Sequence, residues 1–209
     1  AEGVGKQLTR LVELCPVAIV SGRDLADIRN RVGIPGLWYS GSHGYELARP
    51  DGGYEQYDDA VAAIGRLQEA AAALESELKR IAGVRIERKR FAVAVHYRGA
   101  AQSDVADIIE ITRRRGRAHD LRTTHGRKVV ELRPDIDWDK GTALGWLRHH
   151  VGQSLRTLPI YIGDDITDED AFDSVRSSGI GIVVRNSEDS DGPSAAQFSL
   201  NSTREVAEF

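Results

Sequence analysis

Two short, uninterrupted apolar segments constrain the fold of this chain more than any other feature. Residues 17–20 (VAIV) and 158–162 (LPIYI) carry no charged side chain, and polar residues follow each of them within two positions. A strand that is apolar on both faces is typical of a parallel sheet covered by helices on both sides. Because helices are predicted around the first segment and a further strand at 37–40, the pattern predicts a doubly wound α/β core.

A module of a different class interrupts this core. Residues 48–58 contain the turn signal Pro-Asp-Gly-Gly and are predicted to be a connector. A long amphipathic helix over 58–82 follows, and after it two strands, a second helix and two more strands. This order is typical of an antiparallel sheet with helices on one face. We therefore predict a core in two parts, residues 1–46 and 135–209, and an α+β module over about 47–134.

Composition and charge exclude several classes of protein. The 209 residues include 28 Lys and Arg against 32 Asp and Glu, a net charge of −4, so no nucleic-acid partner is expected. No apolar run approaches the roughly 20 residues needed to span a bilayer, so no membrane partner is expected either. Cys15 is the only cysteine and cannot form an internal disulfide, which favours a reducing, cytoplasmic setting.

Residues suited to binding an anion follow the first apolar segment. Ser21, Gly22 and Arg23 lie between that strand and a helix, where a hydroxyl and backbone N–H groups form a site that suits phosphate. A plain helix N-cap is the alternative interpretation of this tripeptide. Lys140 begins a later helix, and its ammonium group could neutralise a transferring phosphoryl group at the same sheet edge. The alternative for Lys140 is an ordinary solvated lysine.

Three carboxylates follow the second apolar segment. Asp164, Asp165 and Asp168 lie at its carboxyl end and supply the hard oxygen ligands that suit Mg²⁺. The alternative is a helix N-terminus, where acidic side chains cap exposed N–H groups and interact favourably with the helix dipole. Capping explains Asp168 well, but it explains less well why two adjacent carboxylates stand directly at the end of a strand.

The order of these motifs resembles motifs two, three and four of the haloacid-dehalogenase-like phosphatases. The details narrow the resemblance to the trehalose-6-phosphate phosphatase family, especially its actinobacterial form. The segments that together look like this family are SGRDLADI, WYSGSHGYEL, HYR, GRKVVELRP, DKGTAL and GDDITDEDAF. The resemblance runs from about residue 10 to residue 209. It implies a Rossmann-like core with an inserted α+β cap. It also implies Mg²⁺-dependent hydrolysis of trehalose 6-phosphate to trehalose and phosphate, through an aspartyl-phosphate intermediate.

The resemblance also implies roles for individual residues. The residues that would bind the phosphoryl group are Ser21, Gly22, Arg23 and Lys140, and Ser21 and Lys140 among them would be catalytic. Those that would bind Mg²⁺, directly or as partners of its ligands, are Asp164, Asp165 and Asp168. Those at positions that match sugar-binding motifs are His43, Glu46, Glu87, Lys89, His96, Arg98, Lys128 and Glu131.

Some of the sugar-binding expectations have structural alternatives. His96 and Arg98 could instead pack on a strand face and form a cross-strand ion pair. Lys128 and Glu131 are the residues we favour most for binding the sugar. Residues three apart on a strand point to opposite faces, so a bulge or turn at Gly126 is needed to bring both to one cleft.

One motif of the family is missing. No apolar strand in the 209 residues ends in Asp-x-Asp-Gly-Thr, and the look-alike over residues 135–139 (DIDWD) is predicted to be turn and capping residues. In this fold the nucleophile strand lies between the strands that end at Ser21 and Asp164, and each buried backbone group left unpaired costs about 1–3 kcal/mol. We therefore expect a fragment of a longer chain that is inactive alone, with its nucleophile segment upstream.

Two other functions stay open at this point. The first is the same chemistry on another sugar phosphate, such as sucrose phosphate or glucosylglycerol phosphate. The second is a phosphatase-like domain without catalytic activity, which binds a sugar phosphate within a larger protein.

Overall fold

The computed structural model describes residues 2–151, 157–185 and 192–209. The chain divides into two compact units. We call Ala1–Glu55 with Trp138–Phe209 the core unit, and Gln56–Asp137 the inserted unit. None of the described helices is long and apolar enough to cross a membrane.

The first sheet of the core unit has four strands in the order β1-β2-β3-β4. They are β1 (Ala18–Val20), β2 (Trp38–Gly41), β3 (Glu46–Ala48) and β4 (Tyr54–Gln56), and the helices nearest to them in the chain are α1 (Glu2–Val12) and α2 (Leu25–Val32). Strands β1 and β2 are parallel, whereas β2 and β3 are antiparallel. Within the predicted connector over 48–58, the Pro-Asp-Gly-Gly turn is confirmed, since the Arg49 N–H donates to the Gly53 carbonyl at 2.8 Å. The turn closes a hairpin, however, and residues 54–56 form β4 where no strand was predicted.

The second sheet of the core unit is parallel throughout and has the order β11-β10-β9. Its strands are β9 (Ile160–Gly163), β10 (Ile180–Val184) and β11 (Phe198–Leu200), and the helices of this half are α6 (Lys140–Val151), α7 (Glu169–Val175) and α8 (Thr203–Glu208). The apolar segments that we predicted as buried parallel strands thus became β1 and β9.

Both β1 and β9 are outer strands of their sheets. Ala18 and Val20 of β1 pack against the same apolar cluster as Tyr161 of β9, Phe172 and Leu144. The two strands that the sequence analysis placed on either side of a nucleophile strand therefore share one core. Each of them has an edge without a hydrogen-bonded neighbour in the described chain.

The inserted unit is one antiparallel sheet in the order β5-β6-β8-β7, with helices packed against it. Its strands are β5 (Arg85–Arg88), β6 (Val93–His96), β7 (Leu121–Gly126) and β8 (Val129–Pro134), and its helices are α3 (Asp58–Ala62), α4 (Ile64–Leu78) and α5 (Val105–Ala118). The single helix predicted over 58–82 is two helices, because at Ala63 the N–H bonds back to the Ala60 carbonyl, three residues away.

Alternation along the strands separates an apolar face of this sheet from a polar one. Val93, Val95, Val130 and Leu132 join the apolar cluster with helices α4 and α5. The residues between them point away from those helices, because successive side chains of a strand face opposite sides. The cross-strand register then places Glu87, Ala94, Glu131 and Thr124 in one row on the polar face.

Candidate functional site

The predicted phosphate-binding tripeptide forms a tight turn at the carboxyl end of β1. The Ser21 N–H continues the ladder by donating to the Ser40 carbonyl at 2.9 Å. The Ser21 hydroxyl accepts from the Arg23 N–H at 3.1 Å, which bends the chain toward α2. The Arg23 guanidinium is exposed and pairs with Asp27 at 2.9 Å, and this hydrogen bond holds the pKa of that carboxyl below its usual value.

A second loop lies directly on this turn and carries His43. Ser42 and His43 both adopt left-handed backbone angles, with φ of 52° and 58°. The His43 N–H donates to the Ser21 carbonyl at 2.9 Å, and the Ser42 N–H donates to the Arg23 carbonyl at 2.7 Å. The imidazole of His43 packs on Gly22, where a Cβ atom would lie 2.5 Å from Nε2. The structure thus brings His43 together with the turn that is predicted to bind phosphate.

Glu46 anchors the His43 loop through a hydrogen bond from Ser42. It is 5% exposed, and its Oε2 accepts from the Ser42 hydroxyl at 2.9 Å and from the Leu25 N–H at 3.3 Å. Its Oε1 accepts from the Tyr54 hydroxyl at 3.0 Å. Because both carboxylate oxygens are used inside the core unit, Glu46 positions the loop and does not present a free carboxylate to a sugar. This differs from the direct contact expected from the sequence.

Replacing Gly22 with alanine should lower the free energy of unfolding of the core unit by about 1–3 kcal/mol, because the added methyl group overlaps the His43 ring. Urea unfolding followed by tryptophan fluorescence measures this. Adding His43→Asn, which tolerates the left-handed backbone and is smaller, should recover part of the loss. The control is Gly145→Ala in α6, where the new Cβ meets nothing within 4 Å and should stabilise by up to about 1 kcal/mol. Equal stability of Gly22→Ala and the unmodified protein would contradict the packing of His43 on the turn.

Lys140 and Asp168 form a buried ion pair that connects α6 to the loop after β9. Their side chains are 8% and 6% exposed, and Nζ donates to Oδ1 at 2.7 Å. The Tyr161 hydroxyl donates to the same oxygen at 2.6 Å. Oδ2 accepts from the N–H groups of Asp164 at 3.1 Å and Asp165 at 2.9 Å. Burial, and next the charge of Asp168, raise the pKa of Tyr161 well above its usual value, so this hydroxyl stays a donor.

The other two carboxylates of the loop are exposed. Asp165 and Asp168 form a reciprocal capping box around the short 3-10 helix Ile166–Asp168, which is the alternative that the sequence analysis gave for them. Asp168 therefore holds the loop together with both oxygens occupied. In the described residues no three His, Cys, Asp or Glu side chains are grouped so as to hold a metal ion.

Asp164 and Asp165 nevertheless fit Mg²⁺ by the chemistry of their donors. This ion is usually bound by one or two carboxylates, several waters and the phosphate of a substrate, without a complete protein cage. Two adjacent exposed carboxylates at the end of β9 supply that number of ligands.

Close backbone packing links the turn after β1 to the start of α6. Gly44, with φ of 103°, follows His43, and a Cβ atom there would overlap Ala143 and lie 2.8 Å from Trp138 Nε1. Gly141, next to Lys140, is equally tight, since its Cβ would lie 2.5 Å from the Asp170 carbonyl. The glycines of this region allow the turn after β1, the His43 loop and the helix that carries Lys140 to approach one another.

In the inserted unit, Glu131 lies between two cations. It is 8% exposed, Oε1 accepts from Lys89 Nζ at 2.6 Å, and Oε2 accepts from Arg133 Nε at 3.0 Å. Burial raises the pKa of Glu131, but the charges and hydrogen bonds of Arg133 and Lys89 outweigh it and lower the pKa to about 2. Two of the predicted sugar-binding residues are thus in contact, with Arg133 as a third partner.

The remaining predicted residues of this unit lie near the end of β6. His96 Nε2 lies 2.8 Å from Glu87 Oε2 on the neighbouring strand, a contact of the kind that the structural alternative describes. His96, Arg98 and Lys128 line one cavity of about 320 Å³, whereas Glu131 is not among its lining residues. Lys128 is in the two-residue turn between β7 and β8, so the turn at Gly126 does not bring it beside Glu131 in that cavity.

A family model described as trehalose-phosphatase matches residues 2–204, nearly the whole chain. The chain belongs to the trehalose-phosphatase family. Among similar proteins, the trehalose-phosphate phosphatase of Mycobacterium avium is 53% identical over 212 residues, which cover 99% of this chain. A Mycobacterium tuberculosis protein named as an uncharacterized glycosyl hydrolase is 56% identical over 213 residues, and the match covers 100% of this chain. The chain spans only 16% of the length of that second relative and 54% of the first.

Solved structures share the fold of this trehalose-phosphatase family member. A trehalose-6-phosphate phosphatase related protein superposes with a TM-score of 0.84 at 22% identity, over 100% of this chain and 84% of that one. A haloacid dehalogenase-like hydrolase from Bacteroides thetaiotaomicron superposes with a TM-score of 0.66 at 15% identity, over 100% of this chain and 91% of that one. The predicted fold class, a Rossmann-like core of the haloacid-dehalogenase type, is confirmed.

Two residues of this trehalose-phosphatase family member were missed by the sequence analysis. Tyr161 carries the only polar side-chain atom of the apolar segment 158–162, and that atom is the one that bonds to Asp168. A single hydroxyl in an otherwise apolar strand was the available signal. Arg133 gave no local signal, because its role depends on reaching Glu131, two residues before it on the same face of β8.

Proposed function

We propose that the protein is a cytoplasmic, Mg²⁺-dependent phosphatase that hydrolyses trehalose 6-phosphate to trehalose and phosphate. The observation that carries this proposal is the buried pair of Lys140 with Asp168, which fixes an ammonium group beside the loop that presents Asp164. The family membership supports the reaction, and the single exposed cysteine supports a reducing compartment.

Each part of the core unit then has a task in phosphoryl transfer. The N–H groups of Ser21 and Arg23 already donate within the fold. The turn therefore binds phosphoryl oxygens through the Ser21 hydroxyl and the Gly22 N–H, and Lys140 neutralises the charge that accumulates on them. Asp164, with Asp165 beside it, holds Mg²⁺, which when bound screens the charge of the phosphate. His43 stabilises the turn by donating its N–H to the Ser21 carbonyl and by packing its ring on Gly22.

The nucleophile of this reaction is an aspartate that becomes phosphorylated. Its carboxylate oxygen forms a bond to phosphorus while the bond to the sugar oxygen breaks, the sugar oxygen takes up a proton, and water then releases phosphate. No Asp-x-Asp-Gly-Thr segment occurs in the 209 residues. Asp139 of the look-alike caps α6 by accepting from the Thr142 N–H at 2.6 Å, as predicted. We therefore expect no turnover from these 209 residues acting alone.

The inserted unit supplies the contacts with the sugar in this proposal. Lys89, Glu131 and Arg133 form a charged group on the polar face of its sheet. Both oxygens of Glu131 accept from Lys89 and Arg133, so Glu131 holds these two cations in place. The remaining N–H groups of Lys89 and Arg133 would then bind the sugar hydroxyls.

The test is phosphate release from trehalose 6-phosphate, with and without Mg²⁺, beside sucrose 6-phosphate and glucosylglycerol phosphate. The assay is run on the 209 residues alone and on a chain that adds a family-type strand ending in Asp-x-Asp-Gly-Thr. We expect release from trehalose 6-phosphate by the longer chain only. Faster release from another sugar phosphate would assign a different substrate. No release by a folded longer chain would overturn the phosphatase proposal.

A second function is favoured by one observation, the absence of the nucleophile motif from residues that otherwise match the family. In that case the chain is a domain that binds a sugar phosphate without hydrolysing it. Isothermal titration separates the two functions, since Mg²⁺-dependent binding that produces no phosphate, even in the longer chain, would establish the binding domain.

Replacing Asp164 with asparagine should weaken Mg²⁺ binding by about tenfold or more, because one of two charged ligands is lost. A Mg²⁺ titration in the presence of trehalose 6-phosphate measures the change. Asp173→Asn is the matched control, since Asp173 is an exposed carboxylate of α7 that pairs with Arg176 at 4.0 Å. Equal Mg²⁺ affinity of the Asp164→Asn and Asp173→Asn variants would reject Asp164 as a ligand.

A further inference from the structure

The chain leaves the core unit at Glu55 and returns to it at Trp138, and both of these residues contact α6. Glu55 Oε2 lies 2.8 Å from Nε2 of His150, which is in the last turn of that helix. The ring of Trp138 packs edge-on against the ring of Trp146, with the ring centroids 5.7 Å apart. One short stretch of α6, from Trp146 to His150, thus holds the chain at both crossings.

The two contacts differ in their chemistry. The contact between Trp138 and Trp146 is made by two rings that carry no charge at any ordinary pH. The contact between Glu55 and His150 joins a carboxylate to an imidazole, and histidine side chains lose their proton between about pH 5 and 8. Of these two contacts, the one at Glu55 is therefore the one that can respond to pH.

Both ring nitrogens of His150 face an oxygen that accepts hydrogen bonds. Nδ1 lies 2.8 Å from the Trp146 carbonyl oxygen, one turn earlier in α6, and Nε2 lies 2.8 Å from Glu55 Oε2. A neutral imidazole has a single N–H group and can donate to only one of these oxygens, whereas an imidazolium donates to both. The arrangement of the two oxygens therefore suits the protonated ring.

The surroundings of the pair are charged and partly shielded from water. Oε1 of Glu55 accepts from Arg49 Nη1 at 3.0 Å, a charge-assisted hydrogen bond within the β3–β4 hairpin. The side chains of His150 and Glu55 are 19% and 31% exposed. In the part of the chain that the structure describes, the other titratable group at the ring is His149, edge-on with the centroids 5.7 Å apart. A positive charge on His149 would act against a positive charge on His150.

We propose that His150 is a pH-sensitive latch between α6 and the β3–β4 hairpin. The protonated ring donates to both oxygens and attracts the carboxylate of Glu55. When the ring loses its proton, the link loses one of its two hydrogen bonds and its ion-pair attraction. The hold on Glu55 is thus present in the protonated form and weakens as the pH rises. The inference does not depend on the proposed hydrolysis, because the latch lies within the core unit and needs no ligand.

The strand that the latch holds also supports the loop of the candidate site. Tyr54 precedes Glu55 in β4, and its hydroxyl donates to Glu46 Oε1 at 3.0 Å. Glu46 Oε2 accepts from the hydroxyl of Ser42, the residue before His43, at 2.9 Å. A weaker hold on the hairpin therefore reaches this loop through two hydrogen bonds.

The test is amide hydrogen exchange of the ¹⁵N-labelled protein at pH 6 and pH 8. The reporter is the Arg49 N–H, which donates to the Gly53 carbonyl and opens when the hairpin opens. Its rate is compared with that of an unstructured peptide at the same pH, which gives a protection factor. We expect this factor to fall at least about threefold from pH 6 to pH 8, because a partly exposed ion pair is lost. In His150→Phe, which keeps a ring beside Trp146 but has no proton to lose, we expect no such fall.

A second variant separates the latch from simple packing. Glu55→Gln provides an amide whose oxygen can accept from Arg49 and whose NH₂ group can donate to Nε2 of a neutral ring. The neutral imidazole then satisfies both contacts, so the protection factor should stay constant or rise toward pH 8. The matched control is His119→Phe in the inserted unit, since His119 is also 19% exposed and lies 3.6 Å from Glu69. It should leave the threefold fall unchanged.

Two results would overturn the proposal. The first is an equal protection factor at pH 6 and pH 8 in unmodified protein whose spectrum shows that it is folded. The second is an undiminished fall in His150→Phe or in Glu55→Gln, which would assign the pH dependence to other groups. If one of these variants does not fold, the other decides. A failure of the phosphatase assay leaves these measurements unchanged, so the two proposals are judged separately.

Discussion

Replacing Lys140 with methionine is expected to lower the free energy of unfolding of the core unit by about 3–5 kcal/mol. Asp168 would lose its cationic partner while staying buried, with Tyr161 and two backbone N–H groups as its remaining donors in the described structure. The same change is expected to reduce phosphate release from an active chain by at least about 10²-fold, because in the proposed reaction Lys140 neutralises the charge of the phosphoryl group.

Tryptophan fluorescence is a selective probe for this experiment. Trp38, Trp138 and Trp146 all belong to the core unit, and residues 56–137 contain none. Adding Asp168→Asn to the Lys140→Met variant should recover part of the stability, since it removes the unpaired charge. Lys6→Met, at an exposed position of α1, is the control and should stay within about 0.5 kcal/mol of the unmodified protein. An equally small loss in Lys140→Met would disprove the buried pair.

Replacing Glu131 with glutamine should destabilise the inserted unit by about 3 kcal/mol at pH 7. The pKa of Glu131 falls from its usual 4.5 to about 2 in the folded chain, and each unit of difference corresponds to about 1.4 kcal/mol. Because the folded pKa is lower than the unfolded one, this stabilisation is complete above about pH 4.5. It is lost as the pH falls through about 2, where the protonated carboxyl resembles the amide of glutamine.

The measurement is urea unfolding at a series of pH values, followed by far-ultraviolet circular dichroism or by hydrogen exchange of the β6 and β8 amides. The difference between the Glu131→Gln variant and the unmodified protein should shrink steadily below pH 4.5. Glu75→Gln is the matched control, because Glu75 forms a similar pair with Arg88 at 2.7 Å but is 47% exposed, so it should cost less than about 1 kcal/mol. A pH-independent difference for Glu131→Gln would show that its charge does not stabilise the fold.

Features that depend on neighbouring residues were predictable from the sequence. The apolar segments 17–20 and 158–162 became β1 and β9, since a continuously apolar strand is stable only when both of its faces are buried. Asp139 was predicted as the N-cap of α6 and accepts from the Thr142 N–H. By contrast, the helix predicted over 58–82 breaks at Ala63, although its apolar pattern continues without interruption.

Partner choice inside the site could not be predicted in this way. Glu46 was expected to contact a sugar, and Asp168 was expected to bind Mg²⁺ or to support its ligands. In the structure their oxygens accept from donors within the core unit. The pattern shows that a carboxylate lies at the end of a strand and does not show which donors reach it. Those donors come from segments as distant as residues 25 and 140, so only the packing of the segments decides.

The sequence by itself determined the class of fold, the family and the order of the groups that we propose to bind phosphate and metal, because apolar periodicity, capping and short motifs are local properties. The tertiary structure alone decided which of these groups hold the site together and which remain exposed to a ligand. It placed His43 on Gly22, Tyr161 on Asp168 and Arg133 on Glu131. Hydrogen bonds and ion pairs act over about 3 Å, and this separation is set by sheet register and helix packing, not by the spacing of residues along the chain.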